Sequence, residues 1–372
     1  MEAVAALYSE GDVGLSEAII SSLSHAVFGK GDISPAGPVQ RALARMSWKL
    51  LKWTTTRHET ADEEGQTTNF RNRLLERSEH PYAQSLLASS RKETEVLVEG
   101  GDPMNGPYML IAPEIRATCT VWDRLFFNSV QGRDVQLRFI WETTATYAMA
   151  SRRLEKGHSV RLKALAAGTG LSMILAYDRL LRDGHSPERI TARITDREPA
   201  NTAKTRHLLT KLAATRGWKL GTDTNGGISA ETEDVFEGEA ASGGNAGSKY
   251  DVVTAVGILE YLQGFTCETT ELRHSLHEPE ESSTAMHLAE SLGAMTSDDG
   301  ALIANTYRPH ASTRILELFG KRFDYRERVN LSALLATANF RPTRLVGTGV
   351  IYDVKVYEKI PSESDGKDQT KS

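Results

Sequence analysis

At 372 residues the chain is long enough for roughly two to three domains of about 150 residues and for at least one large core. With 40% hydrophobic and 25% charged residues, and no uninterrupted apolar run near the ~20 residues that span a bilayer, the composition is that of a soluble globular protein and not a membrane-spanning one. Forty-four Lys and Arg against 49 Asp and Glu leave a net charge of -5, which argues against a uniformly basic surface for the nucleic-acid backbone.

The opening MEAVAALYSEGDVGLSEAII carries acids early and has no basic segment ahead of an apolar core, so neither a secretory nor a transit signal is expected. Cys119 and Cys267 lie too far apart for a short metal or redox pair; this usage suits a reducing compartment and predicts a cytoplasmic protein. Residues 1–157 read as a mainly helical cap or substrate region. Helices are predicted over residues 15–28, where Leu15, Ile19 and Leu23 recur at helical spacing, and over 39–53 and 69–87. A short strand at 94–98 and a turn at 100–107 follow, then two more helices at 115–130 and 135–156. A boundary falls near Gly157.

From Ser159 the pattern changes. Val160, Leu162 and Ala164 alternate with Arg161 and Lys163, as in a strand running into a core. A glycine turn leads into a helix marked by Met173, Tyr177, Leu180 and Leu181, which Asp183 and Gly184 stop ahead of Pro187. Strands at 189–195, 250–256 and 301–305, with helices at 201–216 and 282–295, give the alternation of a parallel α/β sheet. Runs at 343–346 and 350–357 flank Gly347-Thr348-Gly349 and predict an antiparallel hairpin. Residues 238–248 form a low-complexity loop, and 361–372 have the composition of a disordered tail.

Three stretches carry chemistry. In VRLKALAAGTGL a strand runs through Ala166, Gly168, Thr169 and Gly170 into a helix, so a ligand can approach the backbone and meet free N–H groups. The turn has Met173 where a dinucleotide fingerprint has its third glycine, and it lacks the G-K-[S/T] of a P-loop, so NAD and nucleoside triphosphates lose support. In ITARITDREP a second strand ends in Asp196 and Glu198. Asp196 there is placed to accept hydrogen bonds from ribose hydroxyls, or else to cap the helix beyond Pro199. The third stretch, KYDVVTAVGILEYL, reads as a buried strand ending at Gly257, followed by Glu260 and Tyr261.

In their order these stretches resemble the class I S-adenosylmethionine-dependent methyltransferases across about residues 159–359. LAAGTG is similar to the family's glycine motif, Asp196 to its ribose-binding acid, YDVVTAVGILEYL to its fourth strand and ALIANTY to its fifth. The resemblance implies a Rossmann-like seven-stranded sheet over residues 158–360 behind the helical region, with S-adenosylmethionine as cofactor and no metal. It implies cofactor contacts from Ala166, Gly168, Thr169, Gly170, Asp196, Glu198 and Gly257, and from Asp234 toward the adenine, where a solvated acid is an equal account. One departure is Ala164, which stands where the family usually has an acid.

The helix ahead of the first strand would lie over the cofactor's amino-acid end, so Trp141, Tyr147 and Arg152 are candidates there; core packing and solvated charge are the alternatives. Around the reacting sulfonium the candidates are Tyr147, Glu260, Tyr261, Asn305, Tyr307 and His310. Glu260 or His310 would take a proton while Asn305 and Tyr307 orient an acceptor. The implied activity is methyl transfer to a small-molecule acceptor, without nucleic acid or membrane as partner and with a homodimer compatible. Two alternatives stay open: reaction of the cofactor's aminobutyrate arm, by cyclisation to azetidine-2-carboxylate with release of methylthioadenosine or by transfer to an acceptor, and a non-catalytic binding module. No H-E-x-x-H, G-x-S-x-G or zinc-deaminase pattern is present.

Overall fold

The computed structural model describes residues 13–29, 33–57, 111–112, 128–221, 226–235, 249–259, 281–318, 325 and 328–361. The predicted helix at 69–87, the strand at 94–98, the turn at 100–107, the predicted helix at 115–130 up to residue 127, the loop at 238–248 and all of the tail but Pro361 lie outside these residues. In chain order the helices are α1 (Val13–Phe28), α2 (Pro38–Arg57), α3 (Val130–Glu155), α4 (Leu171–Arg182), α5 (Pro199–Arg216), α6 (Glu281–Met295), α7 (Ala311–Leu318) and α8 (Arg328–Ala336). The strands are β1 (Val160–Ala164), β2 (Ile190–Asp196), β3 (Gly227–Thr232), β4 (Tyr250–Ala255), β5 (Thr296–Asn305), β6 (Phe340–Thr348) and β7 (Asp353–Lys359). Among the described residues no helix is long and apolar enough to cross a membrane.

The seven strands form one sheet in the order β3-β2-β1-β4-β5-β7-β6. β1 to β5 run parallel, and β7 enters between β5 and β6 antiparallel to both. Register places Ala164 beside Ile194 on one flank and Thr254 on the other. Parallel strands buried on both faces read as near-continuous apolar runs, and β4 does so through Val252, Val253 and Ala255. One face packs against α1, α3, α4 and α5 through a cluster that joins Ile19, Leu23, Phe139 and Tyr177 to Leu162, Ile194 and Val252. The other packs against α6 and α8 through Leu288, Leu292, Leu331, Leu335, Val253 and Leu302.

α3 lies on the amino-terminal side of the boundary expected near Gly157, yet it shares the sheet's core. It is one helix of 26 residues from Val130, capped by Ser129, whose Oγ accepts from the Gly132 N–H at 3.1 Å. The interruption expected between 130 and 135 falls earlier, at the turn of Asn128 and Ser129, and residues 131–134 are helical. α1 is tied to this layer by Arg216, which bonds Glu17 at 2.6 Å and Ser21 at 2.9 Å and also pairs with buried Asp178.

The terminal hairpin is present with longer and shifted arms: β6 begins at Phe340 and β7 at Asp353, so Val350 and Tyr352 belong to the connecting loop. Gly347 on β6 lies under the indole of Trp141, where an added Cβ would stand 2.1 Å from the ring. Trp141 is therefore a packing residue for the outer strand, and an apolar ring needs no other reason to be there. Gly347→Ala is expected to cost about 1–3 kcal/mol by overpacking. Trp141→Ala in the same chain is expected to relieve part of that cost in urea unfolding, whereas fully additive losses would contradict the contact.

Candidate active site

The strand order reverses between β1 and β4, which opens a crevice at the carboxyl ends of the strands. The turn leaving β1 is pinned to both neighbours, since the Leu165 N–H donates to Thr254 O and the Ala167 N–H to Thr195 O, each at 3.0 Å. Between these anchors the backbone turns left-handed at Ala166 (φ 46), Gly168 (φ 58) and Gly170 (φ 63). Ala166 is exposed and takes a conformation that costs an L-residue about 1–2 kcal/mol. Gly170 cannot carry a side chain, because its Cβ would stand 2.5 Å from Ile194 Cγ2. Thr169 is buried between them, and α4 starts directly behind.

Asp196 closes β2 and ties this turn to the next helix. Its Oδ2 accepts from the Gly168 N–H at 2.8 Å, and its Oδ1 from the Glu198 N–H at 2.9 Å and Asn201 Nδ2 at 3.3 Å. Asp196 thus makes a turn bond ahead of α5, whose N-cap residue is Glu198, and its carboxylate is held against the glycine turn. Glu198 is exposed and gives α5 no side-chain cap bond. Asp234 follows the end of β3, whose Thr232 is the register partner of Asp196. Gly257, with φ 87, stands just beyond β4 and donates its N–H to Asn305 Oδ1 at 2.8 Å. Asn305, buried at the end of β5, therefore shapes the loop after β4.

Over these strand ends lies the amino-terminal half of α3, whose buried face carries Asp134, Arg138 and Glu142 at four-residue spacing. Asp134 Oδ2 accepts from the backbone N–H groups of Ile351 and, at 3.3 Å, Tyr352. Burial pushes this carboxyl up to about 6, against those hydrogen bonds. The Arg138 guanidinium lies over the Tyr352 ring at 4.7 Å and against Gly257, where an added Cβ would meet it at 3.1 Å. Glu142 accepts from Ser172 Oγ, in the first turn of α4, at 2.9 Å, and Thr254 also hydrogen-bonds it. Burial pushes its carboxyl up to about 7, opposed by Ser172 and by the Arg138 charge.

Several expected residues are elsewhere. α3 runs antiparallel to β1, so its carboxyl-terminal half overlies the amino ends of the strands. Tyr147 lies in that half, where its hydroxyl donates to Asp183 at 2.7 Å and its ring meets Phe28 edge-on. Asp183 caps the far end of α4, about a helix length of 18 Å from the glycine turn. Arg152 is exposed in the last turn of α3, about 15 Å beyond Glu142 at 1.5 Å per residue. Tyr307 is buried in a separate cluster, stacked on Tyr325 at 5.4 Å and tilted on Tyr352. The structure thus brings Gly168, Thr169, Gly170, Asp196, Gly257 and Asn305 to one crevice and leaves Trp141, Tyr147 and Arg152 outside it. Glu260 and Tyr261 lie outside the described residues.

His310 opens α7, and its Nδ1 accepts from the Ser312 N–H at 3.2 Å. That bond puts the ring proton on Nε2, which is buried with no acceptor among the described residues. Burial lowers its pKa, helped by Arg45 and Arg41.

A sheet ordered β3-β2-β1-β4-β5-β7-β6 with one reversed strand, a left-handed glycine turn after β1 and an acid closing β2 decides the architecture. It is the class I methyltransferase fold. No protein-family profile and no curated protein sequence matches the chain. Among solved structures, a possible exported protein from Bordetella parapertussis aligns over 82% of this chain and 97% of its own at 14% identity, with TM-score 0.47. An O-methyltransferase family protein from Burkholderia thailandensis aligns over 86% and 72% at 10% identity (TM-score 0.42). Magnesium protoporphyrin IX methyltransferase from Synechocystis, with bound S-adenosylhomocysteine, aligns over 60% and 86% at 14% identity (TM-score 0.37).

Asp134 and Arg138 were not legible as site residues because charged positions on a helix read as solvated; their signal was the four-residue spacing that continues to Glu142. A carboxyl with a raised native pKa keeps its proton in the fold where the unfolded chain has lost it. Stability therefore falls as pH rises from about 4.5 through about 7. Glu142→Gln is expected to remove this slope, gaining on the parent by on the order of 3 kcal/mol across that window in urea titrations at stepped pH. Parallel pH curves for the two chains would contradict the burial of this charge.

Proposed function

We propose that the chain binds S-adenosylmethionine over the carboxyl ends of β1, β2 and β4 and transfers its methyl group to a small-molecule acceptor. The observation that carries this reading is the union of Asp196 with the glycine turn. One carboxylate holds the Gly168 and Glu198 N–H groups, and its Oδ2 has a single donor among the described residues, leaving room for a ribose hydroxyl. The turn offers a ligand its exposed residue Ala166, with left-handed backbone there and at Gly168, and Gly257 takes the same conformation beyond β4. Asp234, at the end of β3, is the candidate for the adenine amino group.

The bound sulfonium supplies an electrophilic methyl carbon. With the cofactor bound there, an acceptor held beside it would take the methyl group, S-adenosylhomocysteine would leave, and the acceptor's proton would pass to a base of the site. The protein's share is orientation and exclusion of water. Glu260 and His310 are the candidate bases for that proton. The same reading makes the chain a cytoplasmic enzyme of small-molecule chemistry.

A second reaction keeps the same site: attack on the aminobutyrate arm, which Ala164 raises by removing the usual acid from β1. Incubation with S-adenosylmethionine and chromatography of the products separates the two. S-adenosylhomocysteine formed with an added acceptor supports methyl transfer, and methylthioadenosine formed without one supports attack on the arm. Asp196→Ala is expected to weaken S-adenosylhomocysteine binding by about 1.5–3 kcal/mol in calorimetry, through lost charge-assisted hydrogen bonds. Gly168→Val is expected to abolish it. Unchanged affinity in both folded variants would remove this crevice as the cofactor site.

A further inference from the structure

Glu142 is a buried carboxylate with no part in the chemistry above. Its position is defined from three elements. It projects from α3, accepts from Ser172 in the first turn of α4, and is hydrogen-bonded by Thr254 at the end of β4. Thr254 is the register partner of Ala164, so the two side chains share one face of the sheet, the face on which α3 lies. Ala164 ends β1 with a single methyl group and is wholly buried. A carboxylate from the helix thus stands over the strand position where the sequence has lost one. Arg138, one turn away, is the charge that acts on it among the described residues. It lies against Gly257 at the mouth of the same crevice.

An acid with so few donors for its two oxygens is costly to bury as an anion, and a cation brought beside it would offset that cost. The ligand proposed above ends in an α-amino acid, whose ammonium is such a cation. We propose that Glu142 receives the ammonium group of the bound cofactor's amino-acid arm, in place of an acid at the end of β1. This inference rests on the cofactor reading and goes beyond it by assigning one residue to one group of the ligand. Glu142 is then a specificity-determining residue: it favours ligands whose arm carries the amine over those that lack it. Its proton leaves when the ammonium arrives, because the ion pair favours the charged carboxylate.

The experiment compares S-adenosylhomocysteine with its deaminated analogue, which keeps the arm and its carboxylate but lacks the amine. Calorimetry of the parent chain is expected to give a preference for the amine-bearing ligand, with Glu142→Gln reducing that preference tenfold or more. Glutamine still accepts the Ser172 hydroxyl, and general damage to the fold would weaken both ligands together without changing their ratio. A second measurement uses the parent alone: titration of S-adenosylhomocysteine near pH 6.5 in two buffers of different ionisation enthalpy is expected to show net proton release. An unchanged ratio in Glu142→Gln, or no proton release by the parent, would overturn the assignment of Glu142. Failure of the parent to bind S-adenosylhomocysteine at all would overturn the cofactor reading instead.

Discussion

The structure depends on three charged side chains buried along one face of α3. Asp134, Arg138 and Glu142 point into the protein, where an apolar stripe would ordinarily be. An unpaired charge in that place is worth several kcal/mol against folding, so each needs partners that come from other elements. Asp134 finds them in the loop between β6 and β7, Arg138 in the Tyr352 ring, and Glu142 in α4 and β4. The helix therefore fixes the terminal hairpin, the end of β4 and the start of α4 relative to one another. Because it runs antiparallel to β1, all three contacts fall at the carboxyl ends of the strands, where the crevice opens.

This constraint explains what was legible and what was not. β1, β2 and β4 are apolar, short and bounded by turn residues, and their order could be read from alternation and from the glycines. β3 was hidden, since its first residue is Gly227 and its neighbours Ser229 and Glu231 give no apolar run. β6 was cut short because it is an edge strand whose residues 341–345 are all exposed, Arg341 and Arg344 among them, so no core face marks its length. The glycine turn and Asp196 were readable because the backbone there demands particular residue types. No comparable demand marks a helix face that is buried but charged, so nothing in the sequence singled those residues out.

The same assumption misdirected attention within α3. Trp141 and Tyr147 drew notice as aromatic groups ahead of β1, yet an aromatic ring has many apolar uses. Trp141 covers Gly347, and Tyr147 bridges Phe28 and Asp183. Helix direction separates Tyr147 and Arg152 from the crevice, since they lie five and ten positions beyond Glu142 and progressively nearer the amino ends of the strands, while Trp141 is turned onto Gly347. Charged residues facing inward, and not aromatic ones, mark the half of this helix that overlies the carboxyl ends of the strands.

The placement of Glu142 also bears on which bond of a bound sulfonium is open to attack. Cyclisation of the aminobutyrate arm needs the arm's own nitrogen as nucleophile, with its lone pair free of a proton. A carboxylate facing that nitrogen stabilises the ammonium form, because Coulomb attraction in a buried site favours the ion pair over the neutral pair with the proton moved. The lone pair is then held in an N–H bond, and the arm is anchored at the end that would have to swing onto its own carbon. The methyl carbon needs no such group from within the ligand and is open to a nucleophile from outside. Ala164 taken alone argued for an altered reaction, by leaving the amine short of partners. With Glu142 assigned to the ammonium as proposed, the arm's nitrogen has a partner from the helix above Ala164, and methyl transfer is the reaction that this assignment favours.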